Sequence, residues 1–203
     1  MYGTLTQDFA ERASSLITQG SRASLLYAAL EIRMGVEARL QSYVQASDEV
    51  SDALKRGWQI PKLFKGLGRT FSNSSQVVEF IVSAGTTAPV VMHFIPVSNR
   101  LRNHAERLGN ALHYTAVSHS GDEWWSDLEE SLTDALRDLK VCAKATLLGV
   151  PLLDPKSGHV LTKFEFHNHD PRFELMQHLA TTREPHQFKV TYLSTDGYYA
   201  SAR

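Results

Sequence analysis

The chain has 203 residues, room for one large domain or one domain with a small appendage, and too few for two full-sized domains. With 42% hydrophobic and 21% charged residues it has the makeup of a soluble globular protein, which excludes a disordered or fibrous one. Lys and Arg number 21 against 22 Asp and Glu, so the net charge is -1 and the general attraction to polyanions of a very basic protein is absent.

From Asp8 to about Ser47 the pattern predicts helix interrupted near Gly20, with Ser21 as the N-cap of a second, longer segment. In that segment Leu25, Leu26, Ala29, Ile32, Val36, Leu40 and Val44 recur at helical spacing and form a core-facing stripe. The opposite side carries Arg22, Glu31, Arg33, Glu37 and Arg39. Between Trp58 and Thr87, Pro61, Gly66, Gly68 and the cluster Ser72 to Ser75 predict short helices joined by turns, and the short β-branched run Gln76 to Val82 is assigned to helix. Asn99 to about Ala116 is a two-faced helix: Leu101, Ala105, Leu108, Leu112 and Thr115 on one side, Asn103, Glu106, Arg107, Asn110 and His113 on the other.

Ser120 to Glu123 reads as a capping box and opens a helix to roughly Leu148 through Trp125, Leu128, Leu132, Leu136 and Leu139. Beyond Gly149 the texture changes. Pro151, Pro155 and Gly158 mark turns, Val160 to His167 and His186 to Leu193 alternate as strands do, and Thr195, Asp196 and Gly197 make a turn before Tyr198 and Tyr199. The expected architecture is mainly α, a helical domain over 1–148 with a small β-rich C-terminal appendage over 149–203, α+β overall.

Chemistry concentrates on the helix after Asn99. At about 100° per residue, Asn103, Arg107 and Asn110 stack nearly above one another, with His113 three residues further along. Arg107 offers a phosphate clamp, Asn110 orienting hydrogen bonds, and His113 an imidazole able to move protons near neutral pH. Such a set suits cleavage of RNA by its own 2′-hydroxyl, which asks the protein only for proton transfer and charge stabilisation.

A late helix bearing Arg107, five intervening residues and His113 in a helical core resembles the HEPN superfamily, whose signature is an Arg followed four to six residues later by a His. The earlier helix from Tyr27 to Arg39 resembles the polar helix beside that motif, and the likeness covers about residues 5 to 148. Many members carry a polar residue directly after the Arg; here Leu108 stands there and the amide is displaced to Asn110. The resemblance implies a metal-independent endoribonuclease of a toxin or phage-defence system acting on RNA. Arg107 and His113 would be its catalytic pair and Asn110, Asn103 and Glu31 supporting residues. It also implies a homodimer that brings two motifs into one cleft, and an antitoxin or defence-system partner protein. Some members are non-catalytic interaction or dimerisation modules, which is the competing expectation; it predicts Arg107 and His113 locked into ion pairs with residues such as Glu31 or Glu106.

Elsewhere, His167 and His169 would share a strand face at a spacing two imidazoles can use for a metal, but no third ligand is evident and Asp170-Pro171 reads as a strand-ending turn. Tyr192, Tyr198 and Tyr199 are assigned to packing rather than base stacking. No phosphate-binding glycine loop, dinucleotide fingerprint, nucleophile elbow or His-Glu-x-x-His motif occurs, so nucleotide hydrolysis, hydride transfer and the common hydrolase chemistries lack support; no metal and no cofactor is expected, with a metal-dependent enzyme using His167 and His169 as the third alternative. The lone Cys142 excludes an internal disulfide and a multi-thiolate zinc site and fits a reducing compartment. With no run of about 20 apolar residues and no signal-like N-terminus, the expected location is the cytoplasm, with no membrane contact.

Overall fold

The computed structural model describes residues 3–70, 75–113, 121–153, 156, 160–166, 170–182 and 185–202. α1 (Thr6–Gln19) opens where the Asp8 carboxylate accepts the Leu5 N–H at 2.8 Å. It closes at Gly20, whose φ of 66° is the left-handed conformation that a residue without a Cβ adopts at no steric cost. α2 (Arg22–Ala46) starts at Ser21, whose hydroxyl accepts the Ser24 N–H at 3.1 Å, and it buries Leu25, Ala29, Ile32, Val36, Leu40 and Val44 as their spacing predicts. α3 (Asp52–Lys55) and α4 (Ile60–Thr70) come next, and α4 passes through both Gly66 and Gly68. Pro61 sits in its first turn, where no intrahelical N–H is lost.

The run assigned to helix from Gln76 is a strand, β1 (Gln76–Ala84), and β2 (Val90–Phe94) succeeds it. Periodicity in so short a run does not separate the two states. The tertiary context does: β1 lies between two antiparallel neighbours that take up its backbone N–H and C=O groups, and Val77, Val78, Phe80 and Val82 are buried across its two faces.

α5 (Asn99–Ala111) is capped by the Ser98 hydroxyl, which accepts the Leu101 N–H at 3.0 Å. It stops at Ala111 rather than Ala116, and residues 114–120, including Ser120 of the capping pattern, lie outside the described residues. α6 (Gly121–Ala143) ends five residues before Leu148, because the chain leaves the helix to run beside β2: Thr146 and Leu147 N–H both donate to His93 O at 2.9 Å.

The remaining elements are β3 (Leu152–Leu153), β4 (Val160–Leu161), α7 (Pro171–Thr181), β5 (His186–Ser194) and α8 (Thr195–Ser201). Asp170-Pro171 is therefore the start of a helix and not a terminal turn: the Asp170 carboxylate accepts the Arg172 N–H at 2.9 Å, and the proline stands in the first turn. Thr195, Asp196 and Gly197 likewise form the first turn of α8, capped by Ser194. β5 pairs with β1 over nine consecutive residue pairs, from Gln76 with Ser194 to Ala84 with His186, in a three-stranded sheet of order β2-β1-β5. The Tyr199 hydroxyl also donates to Pro96 O at 2.8 Å. The segment after 149 thus completes the sheet of the preceding chain, and the boundary expected there is crossed by nine rungs of pairing.

The architecture is α+β, mostly helical around a small antiparallel sheet. α1, α2, α5 and α6 meet through Ala10, Ala13, Ile32, Val36, Leu101, Leu132 and Leu139. No helix among the described residues is long and apolar enough to cross a membrane.

Candidate functional site

α5 presents its polar side to solvent, where Asn103, Arg107 and Asn110 are exposed, and His113 just beyond its end is exposed as well. Arg107 and Asn110 stand on one wall of a groove of about 460 Å³ whose other wall is the first half of α6, with Trp124, Asp127, Leu128 and Ser131. Burial of Leu101, Ala105 and Leu108 holds α5 in this rotation: the three apolar residues occupy the inner stripe and leave Arg107 at the groove. Arg107 makes no ion pair with a described residue, and Asp127 faces it across the groove without pairing. A guanidinium with an amide beside it and an indole opposite can hold a phosphate and stack a neighbouring base.

His113 does not belong to the helix. It lies two residues beyond Ala111, its N–H donating to Asn110 O at 3.1 Å, so the ideal helical stacking expected for it ends before it is reached. It does not line the groove. Asn103, one turn before Arg107, accepts from Arg102 Nη2 at 3.0 Å, while Arg102 lies 4.8 Å over the Phe64 ring and 3.6 Å from Glu106.

Glu31 lies apart from this set. Its carboxylate takes the Arg12 Nε–H at 2.9 Å in a different groove, between α1 and α2, lined also by Glu11, Leu16 and Tyr27. A charged residue of α2 that does reach α5 is Arg33, paired with Glu37 at 3.0 Å; a Cβ added at Gly109 would overlap its guanidinium. The signal for this was Gly109 itself, a glycine inside an otherwise regular helix and a mark of close approach.

The histidine of α5 with a displaced pKa is His104. Burial lowers it first and the neighbouring Arg100 adds to the effect, while Asp138 opposes both. His93, on β2, is also lowered, mainly by burial, against the raising effect of Glu79 at 3.5 Å.

A larger cavity, about 660 Å³, opens at the other end of α5 between α2, α4 and the ends of the three sheet strands. Its walls include Tyr43, Phe64 and Phe94, with Ser98, Asn99 and Asp196 among the polar ones, and among the described residues no His, Cys, Lys or Arg lines it. The Tyr43 hydroxyl is committed to Ile95 O at 2.6 Å, and burial pushes its pKa far up. Size alone therefore does not make it the reactive site.

No group of three potential metal ligands occurs among the described residues, and His167 and His169 lie outside them. His186 Nε2 is 2.8 Å from Leu179 O. Cys142 is buried, its thiol pKa raised chiefly by that burial. Compared with family models, with curated proteins and with solved structures, the chain has no match.

Proposed function

We propose that the chain is a metal-independent endoribonuclease of a toxin or phage-defence system, acting in the cytoplasm as a homodimer. The observation that supports this reading most is Arg107. It is exposed at the rim of the α5–α6 groove with Asn110 beside it and Trp124 across from it, and no described residue neutralises it. Glu31 and Glu106, the acids able to lock it in the competing reading, are instead engaged with Arg12 and Arg102.

In the proposed reaction the RNA 2′-oxygen bonds to phosphorus while its proton passes to the His113 imidazole. The bond from phosphorus to the 5′-oxygen breaks, and that oxygen leaves as an alcohol after taking up a proton. Arg107 stabilises the charge gathering on the non-bridging oxygens, and Asn110 orients the phosphate. A second copy would supply a second imidazole, so that one takes a proton while the other gives one.

A non-catalytic interaction module is favoured by a separate feature: Tyr27, Leu30 and Met34 form an apolar stripe on α2 that is 62%, 40% and 38% exposed. One comparison separates the two readings. In EDTA, wild type cleaves total cellular RNA, and Arg107→Ala and His113→Ala lose about 10²- to 10⁴-fold of that rate with wild-type melting and oligomeric state. A wild type that cleaves nothing favours the interaction module.

A further inference from the structure

β5 is the outer strand of its sheet, and among the described residues no strand pairs with its free side. It is nine residues long, its pairing with β1 contains no bulge, it carries no proline, and Lys189 is its only Lys or Arg. Sheet edges in folded proteins are usually short, bulged, charged or covered, because an open row of N–H and C=O groups recruits another strand. On one face Phe188, Val190 and Tyr192 are 50%, 40% and 46% exposed, although their neighbours on β1, Val82, Phe80 and Val78, are buried. The apolar layer of the sheet continues past β1 and stops uncovered.

We propose that a second copy of this chain covers it, β5 against β5, antiparallel about a two-fold axis at Val190, giving one continuous six-stranded sheet. The strand's own sequence argues for this occupant. Val190 is its middle residue, so pairing centred there overlaps all nine residues and keeps paired side chains on the same face. Phe188 then falls opposite Tyr192 of the second copy as an aromatic cross-strand pair, and Val190 meets itself. On the other face the charges are complementary. Lys189 falls opposite Thr191, which pairs on its inner side with Glu79, so each row sets an incoming ammonium and a resident carboxylate on either side of a threonine. The Thr191 hydroxyl oxygen is buried without a hydrogen-bond partner, and the incoming Lys189 brings a donor to it. This inference uses no residue of the proposed ribonuclease site; it shares with that reading only the dimeric state, and the Val190 variants test the β5 contact apart from RNA cleavage.

Sedimentation of the full chain tests it. Wild type is expected to sediment as a dimer of 22.7 kDa protomers. Val190→Lys, which sets two ammonium groups face to face on the axis, is expected to raise the dimer dissociation constant by about 100-fold or more with an unchanged far-ultraviolet circular dichroism spectrum. Oxidised Val190→Cys is expected to yield a disulfide-linked dimer, since directly opposed residues of an antiparallel pair have Cα atoms about 4.5–5.5 Å apart, within the span a disulfide bridges. Ala200→Cys, exposed on α8, is expected to give none. A monomeric wild type, a Val190→Lys variant that dimerises normally, or a Val190→Cys variant that cross-links no better than Ala200→Cys overturns the proposal. So does a dimer that only Met34→Glu dissociates, which would assign the contact to the α2 stripe.

Discussion

Asp138 is a carboxylate of α6 that is 1% exposed, and it takes two hydrogen bonds from Arg100 in the first turn of α5, at 2.7 and 2.6 Å. A forked guanidinium on a buried carboxylate ties the two helices that wall the candidate groove, and removing one partner strands the other. Asp138→Asn is expected to lower stability by about 2–4 kcal/mol in urea denaturation, with the variant's α5–α6 groove loosened. Next to this pair sits His104, with its pKa in the fold below its unfolded value. The unfolded chain therefore takes up the proton first as the pH falls, so stability is full above about pH 6.5 and is lost as the pH drops toward the folded pKa. His93 is displaced in the same direction and adds to the effect. Melting temperatures are expected to fall between about pH 7.5 and pH 5.5, and His104→Gln to flatten that slope; a slope unchanged in the variant would assign the acid sensitivity elsewhere. The exposure of Arg107 and Asn110 could be read from the apolar positions on the other side of their helix. The partner of Glu31 could not, because Arg12 reaches it from another helix.

At the level of elements, helices with local stop and start signals were readable: Gly20 and Ser21 each act on a backbone group within a turn of themselves. β1 lacked any such signal, and its state is set by strands that arrive from both sides. α7 was hidden for a different reason: an Asp-Pro pair is equally suited to a turn and to a helix start, and the packing of the residues after it decides between them. Helix contacts carry their own constraint. Gly35 of α2 faces Leu139 of α6 and Phe9 of α1, and a Cβ there would lie 2.8 Å from a Leu139 methyl and 3.1 Å from the Phe9 Cβ. Gly35→Ala, which improves helix propensity, is nonetheless expected to destabilise by about 1–3 kcal/mol in denaturant titration, since the overlap forces α1 and α6 outward. A neutral or stabilising result would show that the helices yield without cost.

For the whole molecule, the decisive contact is between the middle of the chain and its end. A fragment of residues 1–148 keeps every helix of the bundle but removes β5 and the Tyr199 anchor, leaving one edge of β1 open and Val78, Phe80 and Val82 at the margin. It is expected to aggregate on expression; a monomeric fragment with cooperative melting would instead support a separable domain at that boundary. The sequence by itself determined the α+β class, the positions of α1, α2, α5 and α6 and the polar face of α5, because each depends on composition or on residues within a few positions of one another. Only the tertiary structure decided that β1 is a strand, that α6 ends where β2 needs a neighbour, that Glu31 pairs with Arg12 away from Arg107, and that β5 presents an uncovered edge. Each of those outcomes is a contact between segments far apart in the chain, and no local pattern records where such segments will meet.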